Sequence, residues 1–125
     1  MKFAVYQIQI TEAERKTINE SKDFDTVPAF AAKIKMKMAD GTKIGGLASD
    51  AFDAGYYTHV ANIEAEDYED CFEVGNVGPD DQIERITVRM SSLSVGDVIV
   101  AEDGTVAVID QVGFVAFSHN PSIAA

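Results

Sequence analysis

His59 and Cys71 are the two residues whose types most directly suggest nucleophilic chemistry, a thiol deprotonated by an imidazole. Helical spacing, however, puts Cys71 among apolar neighbours, where a free thiol behaves as a small hydrophobe, and carboxylates crowd it. A metal centre would have to combine His59, His119, Cys71 and a carboxylate, and these positions lack local ligand spacing. The carboxylate pairs Asp80-Asp81 and Glu102-Asp103 fall in turn signals, where Asp is favoured for backbone chemistry. The glycines at 41–46 lack the Lys-Ser/Thr ending of a phosphate loop. No catalytic residue, cofactor or metal is expected, and the chain reads as a non-enzyme.

The carboxylates carry the stronger signal. Lys and Arg number 10 against 21 Asp and Glu, a formal net charge of −11. The first 43 residues hold eight basic and six acidic side chains; from 44 onward two basic face fifteen acidic. Residues 44–84 contain eleven carboxylates and no Lys or Arg. Phosphate neutralisation needs clustered cations, so direct nucleic-acid binding is not expected, and the same field repels an anionic membrane. Glu66, Glu69, Asp70 and Glu73 recur at helical spacing and, with Glu64, Asp67, Asp80, Asp81 and Glu84, define a candidate acidic interaction face. Such a face suits a partner with a basic surface, such as a nucleic-acid-binding groove. Solubility alone also accounts for an acidic surface.

Positioning these residues requires a mixed architecture. Residues 3–10 alternate as a strand. Thr11 and Glu14 form a capping box opening a surface helix over 11–20. At 29–38, Ala29-Phe30-Ala31-Ala32 could open a helix, but Ile34, Met36 and Met38 alternate with Lys33, Lys35 and Lys37. The preferred reading is a Lys-bearing ribbon turning at Asp40-Gly41 and returning through Thr42-Lys43-Ile44, with Gly45-Gly46 as a break. Ser49 caps a helical turn over 48–54, stopped by Gly55. A strand follows at 56–63, with Tyr57, His59 and Ala61 on one face. A helix at 64–74 has Tyr68, Cys71, Phe72 and position 75 as its apolar side and closes at Gly75-Asn76. A strand at 83–90 precedes a C-terminal β-meander: Val98-Ile99-Val100, the Asp103-Gly104 hairpin, 105–109, and a last strand 114–117 after Gly113. Gly96, Asp97, Gly104 and Gly113 are read as structural turn residues. The fold class is α+β: one small domain over 1–117, mostly antiparallel sheet, with two to three short helices and a loose tail at 118–125.

Several of these segments resemble the YodL-like domain family. Met90-Ser91-Ser92-Leu93-Ser94-Val95-Gly96-Asp97-Val98-Ile99-Val100, Asp103-Gly104 and Val108-Ile109-Asp110-Gln111-Val112-Gly113-Phe114 are similar to its S-V-G-D-V-V segment, hairpin and D-x-x-G-F ending. Tyr57 to Val60, Ile63, Asp67-Tyr68-Glu69-Asp70, Phe72 and Asn76 resemble its middle strand and helix, and Val5-Tyr6-Gln7-Ile8 its first strand. The motifs cover 3–10, 56–76 and 90–117; 22–46 reads as an insertion, and the tail is longer than the family's ending. The resemblance implies a small protein of phages, plasmids and conjugative elements, often beside DNA-handling functions, and no catalytic residues.

Three functional classes follow. The first is a phage or mobile-element accessory protein that binds a host or phage protein. The second is a DNA mimic of the anti-restriction or anti-CRISPR type, blocking a basic nucleic-acid site. The third is a small enzyme, which a pocket holding a perturbed titrating pair would revive. Opposite charge on the Lys33/Lys35/Lys37 ribbon and the 64–73 helix leaves a head-to-tail homodimer open, although edge protection is the preferred role for those lysines. A single cysteine suits a reducing cytoplasm, the N-terminus lacks a signal-peptide pattern, and no apolar run is long enough to span a membrane.

Overall fold

The computed structural model describes residues 1–22, 26–39, 43–87, 90–111 and 113–116. Its frame is one six-stranded antiparallel sheet built from β1 (Lys2–Ile8), β2 (Tyr57–Glu64), β3 (Ile83–Arg85), β4 (Val98–Ala101), β5 (Val106–Ile109) and β6 (Phe114–Ala116). The order β3-β2-β1-β4-β5-β6 makes the N-terminal strand central, paired to β2 on one side and β4 on the other. The expected α+β class and C-terminal meander are therefore present. Phe117 and the tail lie outside the described residues.

Among the described residues four helices accompany this sheet: α1 (Glu12–Ser21), α2 (Pro28–Met38), α3 (Ile44–Asp53) and α4 (Tyr68–Val77). That exceeds the two to three expected, because 28–38 is a helix and not a Lys-bearing ribbon. The alternation of Ile34, Met36 and Met38 spans too few residues to separate the two periods, whereas Ala, Lys and Met are strong helix formers. Pro28 at the first helical position fits that start. A helix sends positions 36 and 38 to different sides, and Met36 is 1% exposed against 80% for Met38. The expected turn at Asp40-Gly41 and Thr42 lies outside the described residues.

The helix α3 opens at Ile44, so Gly45-Gly46 lies within its first turn and does not break the chain. Ser49, expected as its cap, is instead fully buried inside it. The buried small residues of α3 (Gly45, Ala48, Ser49, Ala51) let it seat closely on its neighbours, α2 and the β5–β6 end of the sheet. At α1 the capping box forms as read: Glu14 N–H donates to Thr11 Oγ1 at 3.1 Å, and Thr11 N–H to Glu14 Oε1 at 3.1 Å. None of α1 is buried.

Two apolar cores result, one on each face of the sheet. Phe3, Val5, Val60, Ala61, Ile63 and Ile99 pack with Cys71 and Val74 of α4 and with Leu93. Ile8, Val98 and Val108 pack with Met36 of α2 and with Ile44, Ala48 and Ala51 of α3. The register of β1 on β2 slips between Val5 and Tyr6, whose partners are Ala61 and His59, leaving Val60 as a bulge. The Val60 carbonyl accepts from Ile86 N–H at 2.8 Å and Thr87 N–H at 3.2 Å. This bulge overturns the expected facing of β2: Ala61 and Ile63 meet α4, while Tyr57 packs on the other core. The strand expected at 83–90 forms only over Ile83–Arg85; Val88 and Arg89 lie outside the described residues.

Candidate functional site

The sheet separates the two residues that could have formed a nucleophilic pair. Cys71 is fully buried in the α4 core, and burial, then the charge of Asp70, pushes its thiol up to about 12. His59 stacks on Tyr6 at 4.8 Å, and Tyr6 packs on the opposite core. The His59 Nε2 pairs with Asn62 Oδ1 at 2.8 Å, and Asn62 Nδ2 donates to Glu84 Oε1 at 2.8 Å. No group of three metal-ligating side chains gathers among the described residues, and His119 lies outside them. Asp103 is a turn acceptor, taking Thr105 N–H at 3.0 Å and Thr105 Oγ1–H at 2.7 Å. Those bonds lower its pKa.

The nine carboxylates of the acidic face divide by role. Asp67 caps α4 by accepting Asp70 N–H at 2.8 Å, and Asp70 Oδ2 accepts Glu66 N–H at 2.9 Å. Glu64 pairs with the N-terminal ammonium at 3.2 Å, Asp80 with Arg85 at 3.3 Å, and Glu84 accepts from Asn62. Glu66, Glu69, Glu73 and Asp81 are exposed and take part in no ion pair among the described residues. The helix begins at Tyr68, four residues later than the spacing predicts, so Glu64 ends β2 and Glu66 and Asp67 precede the helix. It also continues past Gly75-Asn76 to Val77.

The inward side of α4 is centred on Cys71 and Val74, which leaves Phe72 36% exposed, between Glu69 and Glu73 in sequence. Phe72 thus belongs to the outer side and not to the apolar side expected for it. The outer side of α4 presents an aromatic ring, two unpaired carboxylates and, at its end, the 82% exposed Val77.

A second cluster escaped the reading of residue types. Gln7 and Asp97 are both buried, and Gln7 Nε2 donates to Asp97 Oδ2 at 3.0 Å and to the Ser91 carbonyl at 3.0 Å. Ser91 N–H donates to Gln7 Oε1 at 3.1 Å, and Ser94 N–H to Asp97 Oδ2 at 2.9 Å. Burial pushes the Asp97 carboxyl up to about 6, against the opposing pull of the Ser94 N–H and the Gln7 amide and of Lys33 and Lys37. Lys33 is half-buried on α2, its ammonium donating to the Ile8 carbonyl at 3.3 Å. Burial lowers its pKa while Asp97 holds it up.

Gly96 precedes Asp97 at φ 94°, and its carbonyl accepts the Tyr57 hydroxyl. Gly104 and Gly113 also hold positive φ, at 91° and 83°. The sequence marks Asp97 as a turn residue, and it does bond its own turn at Ser94, but its meeting with Gln7 has no sign there beyond a glutamine at a strand position. No helix among the described residues is long and apolar enough to cross a membrane. Comparisons with protein-family models, with curated proteins and with solved structures found no match.

Proposed function

We propose that this chain is a small accessory protein, of the phage or mobile-element type its motifs resemble, acting by binding a host or phage protein through the outer side of α4. The carrying observation is Phe72, exposed between the unpaired carboxylates of Glu69 and Glu73. An aromatic anchor ringed by charge is the pattern of an interface hot spot, with the ring supplying affinity and the carboxylates steering a basic partner. The stretch 44–84 offers no Lys or Arg to interrupt that field. The partner is therefore a protein with a basic surface, such as one that itself holds nucleic acid.

The stricter reading, a DNA mimic, asks for a continuous run of free charge at phosphate-like spacing. Five of the nine carboxylates already serve caps, strand ends or ion pairs, so the geometry favours a local docking patch over a duplex imitation. The test is affinity capture from bacterial lysate at low and at molar salt. Capture that fades with salt and is lost in Glu69→Lys/Glu73→Lys supports the proposal. Capture that survives molar salt, or ignores the charge reversal, contradicts it.

A further inference from the structure

The geometry points to a second site: the cleft between α1, the end of β1 and α2 binds a small oxyanion, a carboxylate or a phosphate, between Lys33 and Arg15. The cleft encloses about 360 Å³ and is lined by Ile8, Gln9, Ile10, Arg15, Lys33 and Ser91. Its two charged lining residues are both cations, in a chain that carries 21 carboxylates and a net charge of −11. Neither cation forms an ion pair among the described residues. Arg15 is exposed and keeps a planar fork of donors, the geometry that matches a carboxylate or phosphate.

Lys33 is held differently. Its ammonium makes one hydrogen bond among the described residues, to the Ile8 carbonyl at 3.3 Å, which leaves two of its three donors. The carboxylate nearest in effect is Asp97, whose Oδ2 is already engaged by Gln7 and by Ser94 N–H. Lys37 and Arg15 each disfavour the charged form of Lys33, so an anion seated between Lys33 and Arg15 relieves a repulsion between the cations. The aliphatic walls from Ile8 and Ile10 accommodate a short apolar tail. This site is separate from the outer side of α4 and does not depend on it.

The test is an amide chemical-shift titration of the ¹⁵N-labelled full chain with sodium butyrate and, in a second arm, with inorganic phosphate, at constant ionic strength. The expected result is saturable shifts confined to residues 8–10, 15, 33 and 91 in at least one arm. Saturation by butyrate assigns a carboxylate ligand with an apolar tail, and saturation by phosphate assigns a phosphate ligand. Arg15→Met, at an exposed position that leaves the fold intact, weakens the affinity by roughly tenfold or more, the worth of a charge-assisted pair. Lys33→Met does the same. Linear shifts spread over the surface lysines overturn the proposal, as does binding unchanged in Arg15→Met or no saturable shift with either anion.

Discussion

Gln7 and Asp97 stand 90 residues apart in the chain and meet inside the fold, the Gln7 amide donating to the Asp97 carboxylate at 3.0 Å. One end of the contact lies on the central strand and the other on the turn that opens the meander. Gln7 also accepts Ser91 N–H, so a single side chain ties β1 to the segment leading into β4.

Truncating that side chain removes a donor from a buried carboxylate and an acceptor from Ser91 N–H. Gln7→Ala is expected to destabilise the protein by about 2–4 kcal/mol, since buried polar groups left unmatched cost more than the bond itself. Urea unfolding followed by circular dichroism measures this. A loss within about 0.5 kcal/mol, typical of an unimportant surface change, would contradict the role given to Gln7.

The Asp97 carboxyl, raised from 3.8 to about 6 by burial, makes stability depend on pH in a defined direction. The native state holds this proton where the unfolded chain has released it, so the contribution of Asp97 is fully present below pH 3.8 and is lost as pH rises through about 6. Relative to Asp97→Asn, the wild type is expected to lose about 3 kcal/mol of unfolding free energy between pH 3.5 and pH 7. Paired denaturation curves across that range check the sign. A wild type that instead gains on the variant as pH rises would refute it.

Close packing between α4 and the 90–93 segment yields a third expectation. A Cβ added at Gly75 would lie 2.7 Å from Leu93 Cδ1 and Cγ and 3.3 Å from Ile63 Cδ1. Gly75→Ala therefore forces Leu93 or the helix to shift and should cost about 1–3 kcal/mol, despite the better helix propensity of alanine. Thermal melting tests this, and an unchanged or raised midpoint would show that Leu93 yields freely.

Cys71 should behave as a core residue. With its thiol pushed up to about 12 and fully buried, it should resist alkylation at pH 8 in the native protein and react once urea unfolds the chain. Iodoacetamide labelling read by mass spectrometry distinguishes the cases. Rapid labelling of the folded protein would reopen a chemical role for the thiol.

What the sequence displays and what it hides follow from the range of the interactions involved. The capping box of Thr11 and Glu14 is legible because both partners lie within one turn. The meander is legible because glycine-bearing turns punctuate short β-branched runs at 98–109. Residues 29–38 misled because three alternating apolar positions satisfy both periods, and only packing against the second core decides between them. The bulge at Val60 is invisible to alternation, since it is defined by how β2 registers on β1. It also decides which side His59 occupies, and so dissolves the pairing with Cys71. Asp67 as the cap sets where α4 begins, and the inward side centres on Cys71 and Val74, so Phe72, one position on from Cys71, falls outside it. The contacts of Gln7 with Asp97 and of Lys33 with Ile8 join distant segments, so residue types alone carry little sign of them.

The claim that the outer side of α4 is a binding surface is tested most directly by capture from bacterial lysate with Phe72→Ala, beside the wild type and beside Asp53→Asn as a charge change elsewhere. Because Phe72 is already partly exposed, the variant keeps the native circular dichroism spectrum and a melting point near that of the wild type. The account predicts that a partner held at low salt by the wild type and by Asp53→Asn is lost from Phe72→Ala. Capture undiminished in a folded Phe72→Ala would contradict it.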